Sequence, residues 1–384
     1  MSCLSELIID RFQKSLRLRC IQYENFRNHR LLTFEPGDGI TLIHGPNGSG
    51  KTSILEGVHY CALTKGFVSA NDSEYLRFSA DYFLLNGSFL SERESPTAVK
   101  IIYKKEKEKQ LIVNNSEVKP FSRHIGRIPC ITFSPSEIVI VNGAPAERRR
   151  FIDNAICQTD RRYLDDLLAY KRVLHQRNAL LAQLYERITV HKDMLSLWNE
   201  NIARLAASIV FTRMQFIAAF FIQFRELYGQ LSVDEDPSIT YRCSLGNICN
   251  DTPVDVLYTR FLARYEETER QEIFRTQTMT GPHRDDLLFM LNEIDIKRYA
   301  SQGQLRTFLI SLKLAQHRFY YQTLGEKPLC LLDDIFSELD ASRTSDIFTI
   351  LEQCGQTLIT SAEKKGQSNV NNISVESLKN MKER

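Results

Sequence analysis

Gly45-Pro46-Asn47-Gly48-Ser49-Gly50-Lys51-Thr52 fits the pattern G-x-x-x-x-G-K-[ST]. That spacing suits phosphate binding. Glycines let the backbone turn tightly enough for its N–H groups to converge on phosphate oxygens. The N-terminus of a following helix adds roughly half a positive charge. Lys51 is then the group that reaches the outer phosphates, with a catalytic share, and the Thr52 hydroxyl is the group that holds Mg²⁺. Ile40 to Ile43 reads as a short buried strand entering the loop, and Ser53 to Cys61 as the helix leaving it. Motif and context together point to ATP and Mg²⁺.

Three other clusters carry charge or hydrogen-bonding chemistry. Leu329-Cys330-Leu331-Leu332 is a continuous apolar run, as in a strand buried on both faces of a parallel sheet, and Asp333-Asp334 closes it. In a phosphate site Asp333 would hold the Mg²⁺ shell, and Asp334 would orient or deprotonate an attacking water. Ser301 and Gln304 have capping-box spacing at the head of a helix. Ser301, Gly303 and Gln304 also offer a hydroxyl, an open N–H and a helix N-terminus, which together make an anion site. Arg148-Arg149-Arg150 opens another helix, at the positive end of its dipole. That placement points either to an anionic partner such as DNA or to a solvated face.

The elements that must position these groups follow from apolar periodicity. Leu16, Leu18 and Cys20 alternate with arginines, and Leu31–Phe34, Phe83–Leu85 and Cys130–Phe133 read as further strands. Ala98–Tyr103 and Gln110–Val113 form a hairpin, with the mixed-charge run Lys104–Lys109 as its solvated tip. From Pro145 to about Gly229 the pattern is helical. Apolar stripes over Tyr163–Leu184 and Leu195–Ile209 suit either two antiparallel helices forming an arm, with His191 and Lys192 near the turn, or a compact helical subdomain. Strand returns near Ser238–Cys243 and helix near Val254–Glu269.

Bulk composition narrows the function classes. The 384 residues suggest two or three domains, and a net charge of +2 means any nucleic-acid site is a local patch. Nine cysteines and eight histidines are scattered without zinc-site spacing, so a structural metal is not expected, and free thiols suit a reducing cytoplasm. The most apolar run, Met214–Phe224, is too short for a membrane span, and the N-terminus lacks signal-peptide character.

The order of phosphate loop, helical insertion, Ser301-x-Gly303-Gln304, acidic strand and Ser337-Glu338-Leu339-Asp340 resembles the heads of chromosome-maintenance ATPases, a branch of the ATP-binding-cassette group. In that group the signature near Ser301 faces the γ-phosphate of a second subunit, and the D-loop at Ser337–Asp340 lies at the seam. Longer strings are similar to the RecF family of bacterial recombination-repair proteins. They are Asn25–Asn28, Phe133–Pro135, Glu147–Asp153, Gly281–Leu287, Ser301–Arg306 and Leu331–Asp340, besides the phosphate loop. The resemblance implies an α/β fold, an ATP-binding-cassette-type P-loop ATPase head with an inserted helical arm domain. Its expected parts are a 1–14 extension, a head lobe over 15–145, the insertion over 146–275, the returning head over 276–365 and a tail over 366–384. It also implies a slow DNA-dependent ATPase that forms a homodimer on ATP and binds gapped DNA and single-strand/duplex junctions. The partners implied are RecR, RecO and RecA, whose loading supports recombinational repair, replication restart and the SOS response. Two departures stand out. Asp334 replaces the usual Glu, consistent with slow turnover, and Thr357-Leu358-Ile359-Thr360 reaches Ser361 without the usual switch histidine. The alternatives are another short-armed chromosome-type ATPase and a P-loop phosphotransferase, which has no use for the Ser301 signature.

Overall fold

A computed structural model describes residues 15–69, 71–91, 95–186, 193–232, 234–249, 251–336, 341–364 and 369–380. The chain divides into two units, Val139–Leu305 and the segments on either side of it.

The flanking unit begins with β1 (Arg17–Phe26) and β2 (His29–Phe34), an antiparallel pair, then β3 (Ile40–His44) and α1 (Lys51–Leu63). Next come β4 (Tyr82–Leu90), β5 (Pro96–Lys104), β6 (Gln110–Val113), the short β7 (Ser116–Glu117) and β8 (Cys130–Phe133). Buried residues alternate with more exposed ones along β4 and β6 and over parts of β1, β2 and β5. All of these strands but β3 and β8 form a six-stranded antiparallel sheet in the order β2-β1-β4-β5-β6-β7, wet on one side as that alternation demands. The expected hairpin is present, with Val99 opposite Val113 and Ile102 opposite Gln110. Its charged tip is not wholly solvated. Lys109 Nζ donates to Asp72 (2.8 Å) and to the Thr64 carbonyl (2.7 Å).

The inserted unit holds α2 (Val139–Asn142), α3 (Pro145–Cys157), α4 (Arg161–Tyr185), α5 (Asp193–Leu231), β9 (Pro237–Arg242), α6 (Val254–Arg275), β10 (Asp286–Leu291), β11 (Ile294–Asp295) and α7 (Ile296–Tyr299). Helices α4 and α5 pack together as the apolar stripes require, and α6 packs on both. Leu180, Leu181 and Leu195 make a small core there. The expected turn at His191 and Lys192 lies outside the described residues. Strands β11-β10-β9 form a three-stranded antiparallel sheet. Residues 276–305, assigned to the head by sequence, therefore belong to the insertion, because β10 completes a sheet with β9. Helix α5 is, among the described residues, long and apolar enough to cross a membrane, but half of its most apolar window is buried inside the protein. Its buried side, with Ile202, Ala206, Val210, Met214 and Phe224, packs it into the inserted unit.

The chain returns to the first unit along α8 (Gln302–Leu324), followed by β12 (Leu329–Leu332), α9 (Ala341–Leu351), β13 (Thr357–Ser361), β14 (Val370–Ser374) and α10 (Val375–Asn380). These strands complete a parallel sheet in the order β14-β3-β13-β12-β8. All four residues of β12 are buried, as its unbroken apolar run requires of a central parallel strand. Residues 369–380 are thus not a separate tail, since β14 pairs with β3 from Val370 to Ser374. Helix α1 touches strands of both sheets and is buried on almost every side. Gly57 permits this closeness: a Cβ there would stand 2.1 Å from the Tyr23 ring.

Candidate functional site

Strand β3 delivers Gly45 to the loop and α1 begins at Lys51, so the phosphate pattern occupies the strand-to-helix turn at the C-terminal edge of the parallel sheet. Gly50 has φ +104, and a Cβ there would lie 2.6–2.8 Å from Asn28 and His29 side-chain atoms. Both reasons require glycine. The loop is braced from β1–β2: Asn28 Nδ2 donates to the Gly48 carbonyl (3.4 Å), and His29 Nε2 lies 3.1 Å from the Gly50 carbonyl oxygen.

Lys51 Nζ donates to the carbonyls of Gly45 (2.7 Å) and Pro46 (3.0 Å), curling over its own loop. Ser49 Oγ is buried and finds no partner among the described residues. Thr52 Oγ1 donates to the Asp333 carboxylate at 2.9 Å, across 281 residues of sequence. Thr360 Oγ1 donates to the same carboxylate at 2.6 Å and accepts the Asp334 N–H at 3.0 Å. Burial pushes the Asp333 carboxyl above its ordinary range, opposed by the Thr360 and Thr52 hydroxyls and reinforced by Asp334. Asp334 has φ +48, a left-handed conformation costly for a non-glycine residue. An open cleft of about 350 Å³ collects Asn28, Lys51, Thr52, Asp333, Asp334 and Thr360.

These groups fit a magnesium nucleotide. An unpartnered hydroxyl and convergent loop N–H groups suit phosphate oxygens. A hydroxyl beside a carboxylate is a hard oxygen donor set suited to Mg²⁺. Sequence reasoning missed Asn28 and Thr360 as cleft residues. Thr360 stands at the end of the strand where a switch histidine was sought.

Ser301 and Gln304 form a complete capping box. Ser301 N–H donates to Gln304 Oε1 (2.7 Å), and Gln304 N–H donates to Ser301 Oγ (3.2 Å). Gln304 Nε2 also donates to Glu235 (2.6 Å). Ser301 and Gln302 remain exposed. Ser337–Asp340 lies outside the described residues.

The arginine triplet divides three ways. Arg148 is buried and grips Asp286 with two bonds (2.8 and 3.0 Å), so as a DNA contact it is corrected to a structural ion pair. Arg149 donates to the Asp285 carbonyl at 2.7 Å. Arg150 is 66% exposed and meets only Glu147 among its described ion pairs. The Asp286 carboxylate offsets the unfavourable dipole at the head of α3.

The Gly281–Leu287 string builds a buried network within the insertion. Asp285 is fully buried, accepts from Tyr241 and from the Ser244 N–H (2.7 Å), and lies 3.9 Å from Arg213. Arg213 also donates to Asp153 (2.8 Å) and to the Pro282 carbonyl (2.8 Å). His283 packs on Tyr170, and burial pushes its pKa down to about 4.

Known proteins bear on this geometry. The family described as AAA domain matches residues 20–208. The DNA replication and repair protein RecF of Chlorobium phaeovibrioides is 58% identical over 350 residues, covering 91% of this chain and 94% of that one. A solved structure described as the recombination mediator protein RecF-ATP in the RecFOR pathway superposes with a TM-score of 0.88 at 30% identity, covering 94% of this chain and 96% of the other. The Smc head domain of Pyrococcus furiosus, at 14% identity and a TM-score of 0.53, shares the fold. The sheets, the phosphate loop and its paired acidic strand are therefore those of an ATPase head, and the chain belongs to the RecF family of DNA replication and repair proteins.

Proposed function

We propose that this chain is an ATP-switched DNA-repair protein, slow in hydrolysis, that acts as a homodimer. The observation that carries the reading is the Thr52–Asp333–Thr360 cluster. It joins the phosphate loop, the acidic strand and β13 at one open cleft. Thr52 and Asp333 would hold Mg²⁺, which supplies charge neutralisation of the phosphates. Lys51, now bonded to its own loop, would swing its ammonium onto the outer phosphates. Asp334, held in place by Thr360, would orient the attacking water and accept its proton. The exposed Ser301 end of α8, with Gly303 and Gln304, would meet the nucleotide of a second copy. Arg150 is the member of the triplet whose charge is available to a DNA phosphate. By kinship with proteins of the RecFOR pathway, the DNA substrate would be a gap or single-strand/duplex junction, RecO and RecR the partners, and RecA loading the outcome, in the cytoplasm.

The test is mass in solution with and without Mg-ATP, then with a gapped duplex. A monomer that becomes a dimer with ATP and holds gapped DNA as a dimer is expected, and Ser301→Arg should stay monomeric. A mass unmoved by bound ATP would overturn the dimer reading.

A further inference from the structure

His317, Cys330 and Cys354 come from separate stretches of the flanking unit. His317 lies on α8, Cys330 is the second residue of β12, and Cys354 sits in the turn between α9 and β13. Each offers one ligand atom, and these atoms all lie within 4.8 Å of one another. All three side chains are buried. Tetrahedral zinc, with sulfur at about 2.3 Å and nitrogen at about 2.0–2.1 Å, sets its donors about 3.6–3.8 Å apart. A closure of at most about 1.2 Å per pair would gather them.

The donors are soft, two thiols and an imidazole, and so select thiophilic cations over Mg²⁺. His317 Nε2 lies 2.6 Å from the Cys354 carbonyl oxygen, an outer contact of the kind that fixes the ring of a metal-bound histidine. Cys130, on the neighbouring strand, is not a fourth ligand. It pairs in register with Leu329, so it faces the opposite side of the sheet from Cys330.

We propose that His317, Cys330 and Cys354 form a binding site for a thiophilic d¹⁰ cation, Zn²⁺ being the probe, distinct from the Mg²⁺-type oxygen site at Thr52 and Asp333. Binding ionises both thiols and releases their protons to solvent, so affinity falls as pH falls. The bound cation pins α8 to β12 and to the residues entering β13, the two strands that carry Asp333 and Thr360 to the cleft. The site was invisible to spacing because its ligands come from three elements far apart in sequence.

The experiment uses the full, reduced chain carrying Cys3→Ser and Cys249→Ser, and titrates Co²⁺ as a spectroscopic probe. One equivalent should give an intense near-ultraviolet sulfur-to-cobalt band, displaced by one equivalent of Zn²⁺. Cobalt at the oxygen donors of the nucleotide cleft gives no such band. Cys330→Ser and Cys354→Ser should each reduce the band at least about tenfold, and His317→Gln should weaken Co²⁺ affinity to a similar degree. Saturating Zn²⁺ should raise the melting midpoint by at least about 3 °C, and leave that of Cys354→Ser unmoved. Metal-free midpoints show that each variant folds. No band at one equivalent, or a band that survives either cysteine substitution, overturns the site, as does a midpoint indifferent to Zn²⁺.

Discussion

Asp333 and Asp285 are both carboxyls pushed above their ordinary range by burial. Their partners differ. Asp333 is met by two threonine hydroxyls at the edge of an open cleft. Asp285 is sealed among Tyr241, a backbone N–H and the Arg213 guanidinium. A hydroxyl can yield its place to an incoming cation and become a co-ligand. A buried guanidinium cannot leave without stranding a charge. One carboxylate is therefore open to an added cation, and the other has its countercharge built in. Two of the strings quoted from the sequence, Leu331–Asp340 and Gly281–Leu287, thus place a carboxylate in opposite settings, one at an open cleft and one sealed within the insertion.

The contrast can be broken first at Asp285. Asp285→Ala should cost about 3–5 kcal/mol of unfolding free energy in denaturant titration, because the Tyr241 hydroxyl and the Ser244 N–H both lose their buried acceptor while Arg213 keeps Asp153. ATP affinity of the folded fraction should stay the same, and a loss of affinity would move Asp285 into the binding machinery. Next, Lys51→Ala should weaken ATP at least about 100-fold in a fluorescent-nucleotide titration, with the melting midpoint little changed. Asp333→Ala should instead lose Mg²⁺-dependent turnover, and unaltered hydrolysis in either variant would refute the assignment of the cleft.

Acid sharpens the comparison. His283 is held near pKa 4 by burial, below its ordinary 6.5. The unfolded chain therefore binds a proton there that the folded chain refuses. The stability contributed by neutral His283 is complete above pH 6.5 and is lost as pH falls toward 4. His283→Gln should flatten the stability–pH slope by about 1.4 kcal/mol per pH unit in that window. The raised carboxyls of Asp285 and Glu56 act in the opposite sense, so the difference between variant and parent is what to read. The smallest effect is expected at the triplet. Arg150→Gln should lower the salt slope of DNA binding by about 0.9, one phosphate contact. An unchanged slope would return Arg150 to the solvated face.

Most strands were legible because their apolar residues sit at period two or in unbroken runs, and the phosphate loop because its glycines are dictated by local geometry. Arg148 was misread because its partner, Asp286, is far along the chain, and a basic triplet has the same local pattern whether it is paired or free. Lys109 was hidden likewise: its acceptors come from α1 and from Asp72, neither next to the hairpin tip. Thr360 carries no signal of its own until β13 is known to lie beside β12. The boundary of the insertion was missed because Asp286–Leu291 was not read as a strand, and only its pairing with β9 shows where it belongs.

The strand order β14-β3-β13-β12-β8 has a consequence for the birth of the protein. β3 and β8 leave the ribosome early, yet they are not neighbours. The two strands that fill the gap between them are encoded beyond the whole insertion. Thr52 waits 281 residues for Asp333, on the order of 15–55 s at about 5–20 residues per second. During that interval the parallel sheet has unpaired edges and the cleft does not exist. A ribosome stalled within the insertion would display two apolar strands with no partners, a nascent chain in need of shelter.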